Sequence, residues 1–356
     1  MSSRLFRPAA LLAVLILAAA CGGSGATQAP STGAPSTAAP STASLGAPTT
    51  APTGAGVSGE IFVTGSSTVA PISLALSEDF KALNPNFGYT VEGPGTGDGF
   101  ALFCGGEADV ADASRAIKDT EATECTDAAV EYTELKVAYD GITVMTHPDT
   151  PIDCLTTADL YALFGPESDN VANWQDAQTL ATDLGSSAQF PDLALQITAP
   201  GEESGTYDAF VELGGITATA ADRGKEEGVL RLPGPNYTAS PNDNVIVEGV
   251  EAGAGSLGFV GFAYFEHAGD AVKAIAIDAG EGCIDPTIET IADGTYPLSR
   301  PLFIYVNNQK ATDNAALAAW VDFYLSDAGI QNVVDAGYVA LPADELDATR
   351  QAWANR

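Results

Sequence analysis

Three short segments of this 356-residue chain set Ser or Thr beside Gly where an apolar run hands over to an amphipathic one. They are GSSTVAP (Gly65 to Pro71), GTGDGF (Gly95 to Phe100) and ESGTYDAF (Glu203 to Phe210). One such segment reads as a helix N-cap, its hydroxyl accepting from an NH two or three residues on. Three together suit another task. A helix N-terminus presents unpaired NH groups and the positive end of the helix dipole, glycine lets an anion approach the backbone, and hydroxyls add donors without charge. The chemistry is that of a small oxyanion held by convergent hydrogen bonds. Arg115, in ADASRAIKD, is one of only 14 basic residues. Its guanidinium fork matches phosphate-like oxygens, and it could equally pair on the surface with one of the 47 carboxylates.

The elements that must position these groups alternate in the manner of an α/β protein. IFV (Ile61 to Val63) reads as a strand, and Ile72, Leu76, Phe80 and Leu83 then recur at helical spacing until Asn84 and Pro85. Further strands are expected at YTVEG, ADVADASR, VAYDGITVMT, LALQITA, GSLGFVGFAYF and PLFIYV, and helices at Thr156 to Phe164, Ser204 to Leu213 and Asn314 to Leu325. Two lobes are expected, the first from Gly59 to Asp140 plus Pro301 to the C-terminus, the second from Gly141 to Arg300.

Composition narrows the setting. Residues 1–20 carry Arg4 and Arg7, an apolar run from Leu11 and small residues before Cys21, the pattern of a secretory leader. The placement of that cysteine resembles a bacterial lipobox, in which it becomes the lipid-modified first residue. From Gly22 to Gly59 no residue is charged and Ala, Pro, Ser, Thr and Gly alternate, which reads as a flexible stalk. As a coil it would span about 30 to 35 Å. Cys104, Cys125, Cys154 and Cys283 form an even set in an exported chain, so two disulfides are expected. Of three possible pairings, Cys104 with Cys125 is favoured by proximity in sequence and Cys154 with Cys283 because it flanks one lobe. No CxxC occurs and His147 and His267 are the only histidines, so metal binding is not expected. Formal charge is 14 − 47 = −33, and −35 once Arg4 and Arg7 leave with the leader. Such a field disfavours nucleic acid and anionic lipid, while a buried site is governed by the few donors that line it.

In order along the chain, TGSSTVAPI, GPGTGDGFALFCGGEADVADASRAIKD, VAYDGITVMTHP, CLTTADLYALF, GEESGTYDAFVE, SPNDNVIVEGVEAGAGSLGFVGFAYF and PLSRPLFIYV resemble the phosphate-binding proteins of the high-affinity phosphate ABC importer, the PstS-like family. The resemblance runs from about Gly59 to Leu341. It implies a two-lobed, type II periplasmic-binding-protein fold with the ligand in the interlobe cleft, hinge closure, and delivery to a permease in the cytoplasmic membrane. It also implies contacts from Thr68 and the NH of Val69, from Thr96 and Gly97, and from Ser204, Gly205 and Thr206, with Ser67 a further candidate beside its reading as part of the turn that aims Thr68. Two positions depart from the best-studied members. Ser114 stands where they have an aspartate, and Pro200 where they have an arginine, with Arg115 resembling the arginine of another branch. Asp140 is then the candidate acceptor for a ligand proton, beside its reading as a turn residue before Gly141, and Glu202, Glu203 and Asp112 are further candidates. The resulting expectation is a monomeric, lipid-anchored, extracytoplasmic receptor for inorganic phosphate without cofactor. The competing readings are a receptor for a sulfate-like oxyanion, a tethered module without ligand, and a secreted hydrolase using a loop serine. The last lacks a GxSxG around Ser66, Ser67 or Ser204.

Overall fold

The computed structural model describes residues 56–356, so the leader, Cys21 and nearly all of the stalk lie outside the described residues. The chain begins β1 (Gly59–Gly65), α1 (Ala70–Leu83), β2 (Phe87–Glu92), α2 (Thr96–Cys104), β3 (Val110–Ala113) and α3 (Asp119–Asp127). Pro71 opens α1, whose buried stripe of Ile72, Leu76 and Phe80 lies on one face. Asn84 closes it by bonding Phe80 O through both its backbone NH and its side chain. Next come β4 (Tyr132–Thr146), β5 (Cys154–Thr156), α4 (Thr157–Phe164), α5 (Gln178–Asp183), β6 (Gln196–Ala199) and α6 (Gly205–Leu213). The remaining strands are β7 (Tyr237–Ala239), β8 (Ser256–Gly261), β9 (Lys273–Ala274), β10 (Ala276–Asp278) and β11 (Ser299–Asn307).

Among the described residues the main sheet has nine strands, ordered β2-β1-β3-β11-β4-β8-β6-β7, with β9 also on β4. β1 pairs in parallel with β2 and β3, and β6 with β7 and β8, while β4 and β11 run antiparallel to their neighbours and join the two halves. β4 is buried without interruption from Val137 to Thr146, as expected of a strand covered on both faces. It gives Val137 and Ala138 to one hydrophobic core and Tyr139, Ile142 and Val144 to another. β11 and the residue before it divide likewise, Leu302 to the first core and Leu298 to the second. The C-terminal segment also bridges the cores, with Tyr338 in the first and Val339 and Leu341 in the second.

One expected strand is corrected. GSLGFVGFAYF does not continue extended to Phe265: β8 ends at Gly261 and Phe262–Ala268 is helical. A short apolar run fits either period, and the helical turn sets the ring of Tyr264 against Gly337, where an added Cβ would lie 2.6 Å from Tyr264 Cε2. Disulfides join Cys104 to Cys125 and Cys154 to Cys283, across sequence separations of 21 and 129. By loop entropy alone they restrict the unfolded chain by about 3 and about 5 kcal/mol.

Candidate functional site

β1 and β3 end at Gly65 and Ala113, and the loops that follow form one wall of a cavity of about 200 Å³. The carboxyl ends of parallel strands are where open α/β sheets place ligands. Gly65 has φ +137°, and an added Cβ would lie 2.1 Å from Asp112 O, so only glycine fits this turn. Its neighbour Ser66 braces the turn ahead of α1: Ser66 Oγ accepts from Thr68 N at 3.2 Å and Val69 N at 3.4 Å, while the N-cap position itself is Val69. Ser66, Ser67 and Thr68 all line the cavity, while the Val69 side chain is buried in the core and its NH is taken by Ser66. In the second loop Thr96 Oγ1 lies 3.1 Å from Ser114 Oγ and accepts from Ser114 N at 3.2 Å. A Cβ on Gly97 would meet nothing within 4 Å, so this backbone is open to the cavity.

Two arginines line the same cavity. Arg115 is gripped by Glu121 of α3, Nη1 to Oε2 at 2.8 Å and Nη2 to Oε1 at 2.7 Å. The pairing raises the arginine's pKa and holds the Glu121 carboxyl below the usual range. The Cys104–Cys125 bridge ties α3 to α2 and so fixes the carboxylate that aims Arg115. The second, Arg300, was not singled out from the sequence. Strand register sets it opposite Asp140, 160 residues away. Arg300 Nε donates to Asp140 Oδ2 at 3.4 Å, Nη1 to Glu212 Oε2 at 2.7 Å and Nη2 to Thr68 Oγ1 at 3.0 Å.

The opposite wall comes from α6. Asp208 and Glu212, four residues apart and therefore on one helix face, both line the cavity, and Ser67 Oγ donates to Asp208 Oδ2 at 2.9 Å. Thr68 Oγ1 donates to Gly205 O at 3.4 Å, and a Cβ on Gly205 would lie 2.9 Å from Thr68 Cα, so glycine is what lets the walls touch.

That contact sorts the expected residues into two groups. Ser67, Thr68, Thr96, Gly97, Ser114 and Arg115 share the cavity with Arg300. Ser204, Gly205, Thr206 and Asp140 line a second cavity of about 300 Å³, beside Tyr338. Ser204 caps α6 by accepting from Thr206 N at 3.2 Å. Burial pushes the Asp140 carboxyl up although Arg300 opposes the shift. Asp112 is wholly buried behind the first loop: one oxygen accepts from Ser73, the other has no partner among the described residues, and its pKa rises to about 8. Glu202 lines a third cavity farther along the second lobe, and Glu203 lines both that cavity and the second.

A mixed sheet divided into two lobes, with strand-end loops facing each other across a polar cleft, defines the type II class of periplasmic binding proteins. The PBP superfamily domain matches residues 50–328. SphX of Synechococcus elongatus is 39% identical over 294 residues, covering 81% of this chain and 80% of that protein. The phosphate-binding protein PstS of Staphylococcus haemolyticus is 34% identical over 286 residues, covering 80% and 82%. Among solved structures, a possible phosphate binding protein from Planctomyces limnophilus superposes with a TM-score of 0.74 at 37% identity, covering 84% of this chain and 99% of that one. The chain belongs to the PBP superfamily, in its PstS-like family of phosphate-binding proteins.

Proposed function

We propose that the protein is an extracytoplasmic receptor that binds inorganic phosphate and delivers it to an ABC-type permease. The observation that carries this reading is the convergence of Ser67, Thr68, Thr96 and Ser114 with Arg115 and Arg300 on one cavity. Relatives named as phosphate-binding proteins support it. In this reading Thr96, the open backbone at Gly97 and the two guanidinium groups donate to the phosphate oxygens, and Thr68 turns its hydroxyl proton from Gly205 O to the ligand. Ser204, Gly205 and Thr206 approach from the second lobe. The lobes are taken as Gly59 to Asp140 plus Pro301 onward, and Gly141 to Arg300. The leader, lipidation of Cys21 and the stalk together would keep a monomeric receptor at the outer face of the cytoplasmic membrane.

Charge decides how the ion is told from sulfate. Each arginine already has a carboxylate partner, and Asp208 adds another at the rim. A fully ionised tetrahedral anion would face Asp208 with lone pairs against lone pairs, whereas a phosphate that keeps a proton can donate it. Asp208 therefore takes the acceptor role, in place of the family aspartate replaced by Ser114, and Asp140 serves as the buried counter-ion of Arg300. No covalent step is assigned, and neither histidine lines the cavity.

Calorimetric titration of the purified chain with phosphate and then sulfate tests the reading. Saturable phosphate binding with at least hundredfold weaker sulfate binding is expected, and Asp208→Asn should narrow that gap by about tenfold. Tighter sulfate binding would reassign the receptor, and no heat with either ion would end the proposal. Phosphomonoester hydrolysis lost on Ser67→Ala would favour an enzyme instead.

A further inference from the structure

A second, chemically different site lies in the second lobe. Arg231 is 2% exposed, yet its Nε and Nη1 have no hydrogen-bond partner among the described residues. Nη2 makes only two long bonds, 3.3 Å to Asp169 O and 3.4 Å to Asn236 Oδ1. The Asp169 carboxylate acts on its charge from a distance, but no hydrogen bond joins it to the guanidinium among the described residues, and its Oδ1 accepts from Leu232 N at 2.8 Å. The guanidinium lies 5.9 Å from the ring centroid of Tyr237, whose own buried hydroxyl also lacks a partner. Buried polar groups in folded proteins are nearly always paired, and a buried guanidinium left short of acceptors is costly. Two adjacent orphans that both can donate point to an acceptor that comes from outside the chain.

Both residues line a cavity of about 330 Å³, the size of a small-molecule pocket. Its remaining walls define the rest of the ligand. Leu230, Leu232 and Pro233 give an apolar surface, and Leu232, 68% exposed, marks the mouth. Glu202 and Glu203 stand at the rim on the opposite stretch of chain. A simple anion fits the arginine but not two carboxylates at the entrance. A zwitterion fits both.

We propose that this cavity binds an apolar α-amino acid. The carboxylate takes the free N–H groups of Arg231 and the Tyr237 hydroxyl, the ammonium group faces Glu202 and Glu203, and the side chain packs on Leu230, Leu232 and Pro233. Its carboxylate-binding end is separate from the phosphate cleft, because neither Arg231 nor Tyr237 lines either cleft cavity, and Glu203 is the one proposed contact that also lines the second of them.

Calorimetry of the full chain with L-leucine, 4-methylpentanoate and 3-methylbutylamine tests the assignment, the last two probes lacking the ammonium and the carboxylate respectively. Leucine should saturate one site per chain, with each analogue at least tenfold weaker and the leucine isotherm unaltered by saturating phosphate. Arg231→Met should abolish leucine binding and leave the phosphate isotherm unchanged. Should that variant not fold, Tyr237→Phe removes a single hydroxyl and should weaken leucine about threefold to tenfold, again without effect on phosphate. Absence of leucine binding, equal binding of 4-methylpentanoate, displacement by phosphate, or binding indifferent to Tyr237→Phe would each overturn the proposal.

Discussion

Arg115 and Arg300 line the same cavity but are held in opposite ways. Arg115 belongs to one lobe: a two-point pair with Glu121 holds it, and its side chain is 30% exposed. Arg300 is 10% exposed and reaches Thr68 from the first lobe, Asp140 at the crossing and Glu212 from the second. The difference shows that similar charges in one site can carry separate duties. Arg115 can be lost without disturbing the arrangement of the lobes, while Arg300 is part of what arranges them.

Removing Arg300 should therefore have the largest effect. Arg300→Ala leaves Asp140 buried without its counter-ion and should cost about 3 to 5 kcal/mol of stability. Chemical denaturation should show that loss together with a collapse of phosphate binding; unchanged stability would mean that Arg300 is no strut. Arg115→Ala should weaken phosphate by the roughly 1.5 to 3 kcal/mol of a charged hydrogen bond, about tenfold to 150-fold, with little change in stability. Equal stability losses in the two variants would erase the distinction. The smallest effect is expected from Glu212→Gln, which releases one Nη of Arg300 to an incoming oxyanion. Phosphate affinity should rise about twofold to fivefold, and a fall would show that Glu212 aims the arginine rather than competing for it.

The hydroxyl loops were legible in the sequence because their cause is local. Glycine beside Ser or Thr at a strand-to-helix junction reports a turn and a cap, and Ser66 proves to brace such a turn while Ser204 is such a cap. The lobed α/β pattern was equally legible from alternating apolar runs. Arg300 was not, since its role depends on β11 lying against β4 in the register that pairs it with Asp140. Within the chain it is one basic residue before a proline. Asp208 and Glu212 are two of 47 carboxylates, and only the approach of α6 to Ser67 distinguishes them. The helix at Phe262–Ala268 was hidden for another reason: four apolar residues after Gly261 fit a strand as well as a turn of helix.

The C-terminal segment is tied to the crossing strands. Tyr139 and Val339 exchange backbone bonds at 2.8 and 2.9 Å, and Tyr338 Oη donates to Thr68 O at 2.6 Å. With β4 and β11 it makes a third ribbon lying beside the other two. Ribbons set side by side fold easily along one line and resist torsion, so any movement between the lobes would follow a single hinge-like coordinate. One pair of spectroscopic labels across the cleft would then follow such a movement, and the bond to Thr68 would carry it from the tail to the loop that lines the cavity.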